Sequence, residues 1–172
     1  MTGDGLDGTR DRVLAGAALR AGDDVLALGA AALLAFGAHE RIDDGWVFAV
    51  DPSVAALEEL LRAAHERNVA GIMYLVGEAE VIPLPDRAVD VCLVRSPLAA
   101  GGGSVRAAVE LARVLRAGGR LSGCAPGAHT DAAAGAEALA SALAAAGFDE
   151  VAVTPEPCSD GASALWLTAR SP

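Results

Sequence analysis

The chain has 172 residues, 53% of them hydrophobic, which suits one domain with a sizeable core and argues against a second. Its 23 acidic residues outnumber 13 basic ones, and the net charge of −10 opposes binding to nucleic-acid phosphates or an anionic membrane. Every basic residue is arginine, so a lysine Schiff base is excluded, and no uninterrupted apolar run reaches the ~18 residues of a membrane span.

Residues 1–9 are expected to be flexible, and they lack the basic segment and apolar run of a signal peptide. Residues 10–20 read as a short helix, 24–28 as the first strand and 31–41 as the next helix. Residues 46–50 form a second strand rich in β-formers that ends at Asp51. Pro52 stands at a helix start, with 53–68 as that helix. Strands follow at 72–76 and 89–94, with the turn Pro83-Leu84-Pro85-Asp86 between them. A helix over 103–115 is stopped by Gly118-Gly119, and 120–124 is the fifth strand. A last helix over 130–146 stops at Gly147, and 149–154 and 164–169 pair as a closing hairpin. Apolar strands alternating with helices imply an α/β fold. The expectation is a Rossmann-like doubly wound sheet of about seven strands, mostly parallel with one antiparallel strand, helices on both faces and no separate lid domain.

Several segments then fall in a telling order: Asp24-Val25-Leu26-Ala27-Leu28-Gly29, Val50-Asp51-Pro52-Ser53, Gly77-Glu78-Ala79-Glu80-Val81-Ile82-Pro83-Leu84-Pro85-Asp86, Val89-Asp90-Val91, and Glu110 through Leu121. In this order and spacing the chain resembles the class I S-adenosylmethionine-dependent methyltransferases, and most of all the branch of the quinone-biosynthesis C-methyltransferases and arsenite methyltransferases. The likeness runs over residues 10–170.

An acidic residue at the tip of the second strand is placed to accept hydrogen bonds from both ribose hydroxyls of a nucleoside lying across the sheet edge. Asp51 holds that position, beside Pro52; its competing use is as a helix N-cap. The resemblance implies that Glu78 faces the adenine amino group and that the backbone N–H of Ala79 meets an adenine ring nitrogen. It also implies that Gly29 and Ala30 line the approach of the cofactor, and that Arg95 and Ser96 stand near methyl donor and acceptor. S-adenosylmethionine is thus the expected cofactor and a small molecule the expected substrate.

The first motif departs from the family. Where the family carries a carboxylate contacting the amino acid part of the cofactor, the chain has Ala27, and of the Gly-x-Gly-x-Gly turn only Gly29 is secure; Ala31 and Leu33 occupy the other positions. A side chain where a turn needs positive φ costs about 1 kcal/mol or more. Losing charge-assisted contacts at Ala27 costs a further ~1.5–3 kcal/mol, so cofactor affinity is expected to fall about a hundredfold. The region before the first strand is also short for the family's substrate-closing helices, which leaves the site open to water or covered by a second subunit or partner protein.

His129, just past the fifth strand, is the best of the 3 histidines as a catalytic base, against a plain reading as a helix-start residue. His39 and His65 fall on helix surfaces, and Trp46, Phe48 and Tyr74 in strands are assigned to the core. Cys92, Cys124 and Cys158 show no metal-ligand spacing, which predicts no metal site and suits reduced thiols in a cytoplasm. Three readings follow. The chain is a methyltransferase with weakened cofactor binding; a degenerate methyltransferase fold, a pseudoenzyme for methylation, working as a cyclase- or isomerase-type enzyme in natural-product biosynthesis; or a binding or scaffold subunit of a homodimer or complex.

Overall fold

A computed structural model of the protein describes residues 3–29, 31–95, 103–127, 132–157 and 163–172. In chain order it contains α1 (Gly3–Ala17), β1 (Val25–Leu28), α2 (Ala31–His39), β2 (Val47–Asp51), α3 (Val54–Glu66), β3 (Ile72–Val76) and β4 (Val89–Arg95). These are followed by α4 (Gly103–Val114), β5 (Leu115–Gly127), α5 (Ala132–Ala145), β6 (Asp149–Pro157) and β7 (Ser163–Arg170). One 7-stranded sheet has the order β3-β2-β1-β4-β5-β7-β6. β1 pairs in parallel with β2 and β4, and β7 runs antiparallel to both β5 and β6.

The four residues of β1 are all buried because both faces of the strand are covered. Strand alternation splits its side chains between two cores. Leu26 and Leu28 pack on one face with Leu111 of α4 and Leu139 and Leu143 of α5. Val25 and Ala27 pack on the other with Leu14 of α1, Leu34 and Ala35 of α2 and Leu60 of α3. The turning order 2-1-4 around β1 leaves the edge above β1 and β4 clear of crossover chain, which is where open α/β sheets take ligands.

Local chemistry sets the helix ends. Ser53 caps α3 by accepting a hydrogen bond at Oγ from the N–H of Ala56 at 3.2 Å. After α5, Gly147 N–H donates to the Ala144 carbonyl and Phe148 N–H to the Leu143 carbonyl, and Phe148 is buried in the same core as Leu143. This is the left-handed glycine stop that Gly147 predicts.

Several expectations need correction. Helix α1 runs over Gly3–Ala17, where a helix over 10–20 was expected. Trp46 precedes β2 and is 52% exposed, so it is no part of the core. Strand β5 starts at Leu115, directly after α4, where a helix end and a turn were expected. Residues 116–119 bulge between the pairs Val89–Leu115 and Val91–Arg120. Gly118 N–H donates to the Ser171 carbonyl and Ser171 N–H to the Gly119 carbonyl, so the Gly118-Gly119 pair docks the segment after β7. The antiparallel strand is β7, but it is an interior strand; β6 forms the edge.

Candidate functional site

The C-terminal tips of β3, β2, β1 and β4 stand side by side in that order, and each contributes a residue expected at the site. At the tip of β1, Gly29 adopts φ +68°, a left-handed conformation that suits glycine, and its N–H donates to the Val50 carbonyl at 3.1 Å. Ala31 and Leu33 lie in α2, where helical backbone does not call for glycine, and Gly29 is the described residue of this turn with a left-handed φ. Ala27 is 0% exposed. Its methyl group fills the core under α2, and the surface open to a ligand begins beyond it.

Asp51, at the tip of β2, is buried, with 7% of its surface exposed. Its Oδ1 accepts a hydrogen bond from the Ser53 N–H at 2.8 Å, and its Oδ2 has no partner among the described residues. Ser53, not Asp51, caps α3, which leaves this carboxylate oxygen available for a ribose hydroxyl. Pro52 beside it is exposed.

Gly77 leaves β3 toward the turn expected to meet adenine, its N–H donating to the Asp51 carbonyl at 3.3 Å. A Cβ at Gly77 would lie 2.6 Å from Pro83 Cδ and 3.1 Å from Val50 Cγ1, so only glycine lets the chain pass between β2 and Pro83. Glu78 and Val81 then close a tight turn, Val81 N–H donating to the Glu78 carbonyl at 3.1 Å. Glu78 is exposed, and the N–H of Ala79 makes no hydrogen bond among the described residues.

That segment is fastened from below by a pair the sequence reading did not single out. Glu110 of α4 accepts at Oε2 from the Ile82 N–H at 2.9 Å and from Arg113 Nη2 at 2.8 Å. Arg113 also donates to the Ile82 carbonyl at 3.0 Å, the Leu84 carbonyl at 2.8 Å and Asp86 Oδ1 at 2.9 Å. The hydrogen bonds that Arg113 donates to Glu110 hold the carboxyl below its usual pKa and the guanidinium above its own. The i, i+3 spacing of Glu110 and Arg113 ahead of Gly118-Gly119 was the available signal.

Arg95 ends β4, pairing in register with Cys124 of β5. Its Nε is buried without a hydrogen-bond partner. Ala30, Ser96 and His129 lie outside the described residues. His65 is exposed on α3 and His39 is partly buried at the end of α2. Phe48 and Tyr74 are partly buried against the two cores, and burial raises the pKa of the Tyr74 hydroxyl. Among the described residues no three His, Cys, Asp or Glu side chains gather as a metal site. No described helix is long and apolar enough to cross a membrane.

The arrangement accepts hydrogen bonds at the β2 tip, offers a free N–H after β3 and presents close-approach backbone at β1, all of which fit an adenosine. The profile of the methyltransferase domain family matches residues 26–123, from β1 through most of β5. The chain belongs to that family. Its fold is that of the class I S-adenosylmethionine-dependent methyltransferases, with no particular branch, quinone or arsenite, distinguished. Uncharacterized methyltransferases of Mycobacterium tuberculosis and Mycobacterium bovis are 47% identical to it over 75 residues, 44% of this chain. That stretch spans only 28% of the length of those relatives. Among solved structures, the [4+2]-cyclase SpnF superposes with a TM-score of 0.79 at 20% identity, over 96% of this chain and 81% of that one. A SAM-dependent methyltransferase from Aquifex aeolicus superposes with a TM-score of 0.76 at 18% identity, over 98% and 93%. The YcgJ protein of Bacillus subtilis superposes with a TM-score of 0.73 at 16% identity, over 98% of each chain.

Proposed function

We propose that this methyltransferase-fold protein holds an S-adenosylmethionine-class nucleoside weakly, by its adenosine half, and acts on a small molecule without methylating it, as a cyclase- or isomerase-type enzyme. The observation that carries the reading is the enclosure of Ala27. The position where the resemblance calls for a carboxylate is a methyl group in the core, 0% exposed, while Asp51 one strand away keeps a free oxygen. Asp51, Glu78, the N–H of Ala79 and the turn at Gly29 would hold the adenosine. When bound, S-adenosylmethionine supplies an electrophilic methyl group on a sulfonium. Reaction with that group needs in-line placement of the acceptor, which a weakly held donor opposes. The likeness of the fold to a [4+2]-cyclase supports catalysis by shaping a substrate on such a scaffold.

Calorimetric titration with S-adenosylmethionine and with its demethylated product is the test. Dissociation constants near the millimolar range are expected; a value below about 10 μM, some 7 kcal/mol of binding, would overturn the weakened site. Substrate conversion that proceeds in cofactor-free protein, with no methylated product by mass spectrometry, is the second expected result. A methyltransferase with an altered first loop is the alternative, favoured by the free oxygen of Asp51, and stoichiometric demethylated cofactor in the same assay would establish it.

A further inference from the structure

The sheet ends in two edge strands, β3 and β6, and they are built in opposite ways. β6 carries Asp149, Glu150, Pro155 and Glu156, shifts register between Asp149 and Ala152, and places Glu150 at φ +51°. Arg12 of α1 pairs with Glu156, and Arg170 of β7 with Glu150. Acids, proline and a bulge are devices that keep a strand edge from pairing with another chain. β3 has none of them. It reads Ile72-Met73-Tyr74-Leu75-Val76, pairs with β2 without a shift, and lies within an uncharged stretch between Arg67 and Glu78. Val76 is 59% exposed and Met73 43%.

The hydrogen-bond phase of β3 sets what its open side offers. The Gly71 carbonyl accepts from the Val47 N–H and the Gly77 N–H donates to the Asp51 carbonyl, so the odd-numbered residues turn their main chain toward β2. Ile72, Tyr74 and Val76 therefore turn N–H and C=O outward. An antiparallel strand answers such a row when its own outward residues sit opposite, and β3 meets that condition with itself. With Tyr74 on a two-fold axis, Ile72 falls opposite the partner's Val76 and Tyr74 opposite the partner's Tyr74, each pair exchanging two N–H···O bonds. Met73 then faces the partner's Leu75 across a close, non-hydrogen-bonded pair, apolar against apolar. Charge also favours a second copy here. Two chains of net charge −10 repel, yet along this ladder no charges oppose, and the two Glu78 side chains stand at opposite ends of it.

We propose that the edge of β3 is a homodimer interface, two copies joining antiparallel about a two-fold axis at Tyr74 into one continuous sheet. The strand tips of the two copies point in opposite directions, so the dimer leaves both ligand edges open and is independent of what they bind. A strand of 5 residues gives an edge about 17 Å long, a small interface, and a dissociation constant in the micromolar range is expected.

The test is analytical ultracentrifugation of the whole chain from about 1 to 300 μM, with residue-resolved amide hydrogen exchange at both ends of that range. A monomer–dimer equilibrium is expected. Exchange at Ile72, Tyr74 and Val76 should slow at least threefold at the high concentration, while Met73 and Leu75, bonded to β2 in either state, should not change. Met73→Lys places a charge on the exposed edge and should weaken association at least tenfold; Val105→Lys, at an equally exposed apolar position on α4, should leave it unchanged. A chain that stays monomeric across the range, protection that appears away from β3, or a Met73→Lys variant that associates like the parent would overturn the interface. Should Met73→Lys fail to fold, the exchange pattern of the unaltered protein decides.

Discussion

The two halves of the sheet edge solve opposite problems. At β2 and β3 the chain spends polar groups on outward-facing chemistry: Asp51 keeps a carboxylate oxygen without a partner among the described residues, and the turn after Gly77 is held by six hydrogen bonds involving Glu110 and Arg113, at Ile82, Leu84 and Asp86 and between the two side chains. At β1 and β4 the same edge is apolar or unanswered, with Ala27 sealed in the core and Arg95 without an acid among the described residues. A binding edge is therefore not lost or kept as a unit. Because each strand tip is positioned by its own side of the core, one tip changes its chemistry while its neighbour retains its own.

Adding the acid back at β1 is the strongest way to break this contrast. Ala27→Asp puts a carboxylate into a fully enclosed, methyl-sized space, and should lower stability by about 3 kcal/mol, read as a reduced urea midpoint. An unchanged midpoint would mean that the tip of β1 is open after all. On the other side, Asp51→Asn keeps an oxygen for the Ser53 N–H but removes the charge, and should weaken nucleoside binding by about 2 kcal/mol, some thirtyfold. Equal affinity would remove Asp51 from the site.

The clamp beneath the turn after β3 gives a smaller effect with a pH signature. Glu110→Gln should cost about 1–2 kcal/mol at neutral pH, because hydrogen bonds to a charged carboxylate become neutral ones. The pKa of Glu110 is lowered by folding, so its contribution is complete above the unfolded carboxylate value of about 4.3 and is lost as pH falls through the lowered folded value. Thermal midpoints of variant and parent should accordingly converge in acid; a gap that stays constant down to pH 2 would contradict the assignment. Least of all, Ala31→Gly should leave nucleoside affinity within threefold and cost up to about 1 kcal/mol of stability, since the position is helical. A tenfold gain in affinity would show that the second glycine of the motif is needed for more than its backbone.

Most of the fold was legible because periodicity and punctuation agreed. Val25 to Leu28 is apolar at every position, as a doubly covered strand must be, and Gly147 stops α5 where a left-handed residue is required. The tips of β2 and β3 were legible as structure because Asp51 and Gly77 are fixed by backbone geometry that neighbouring residues also record. What escaped was governed by packing at a distance. Nothing within Trp46-Val47 tells that the indole falls outside the strand and the valine inside. The bulge at 116–119 depends on Ser171, which lies far along the chain. At the first motif, residue types showed that the carboxylate was gone, but not that Ala31 and Leu33 would be free of backbone strain, because that depends on where α2 begins.

The interior place of β7 also shapes how the protein is made. During synthesis β6 leaves the ribosome before β7, yet β6 pairs with no strand other than β7, and the free side of β5 waits for the same strand. Until β7 arrives, the nascent chain holds two unsatisfied strand edges at once, the state most prone to pairing with a neighbouring chain, and a single late insertion closes both.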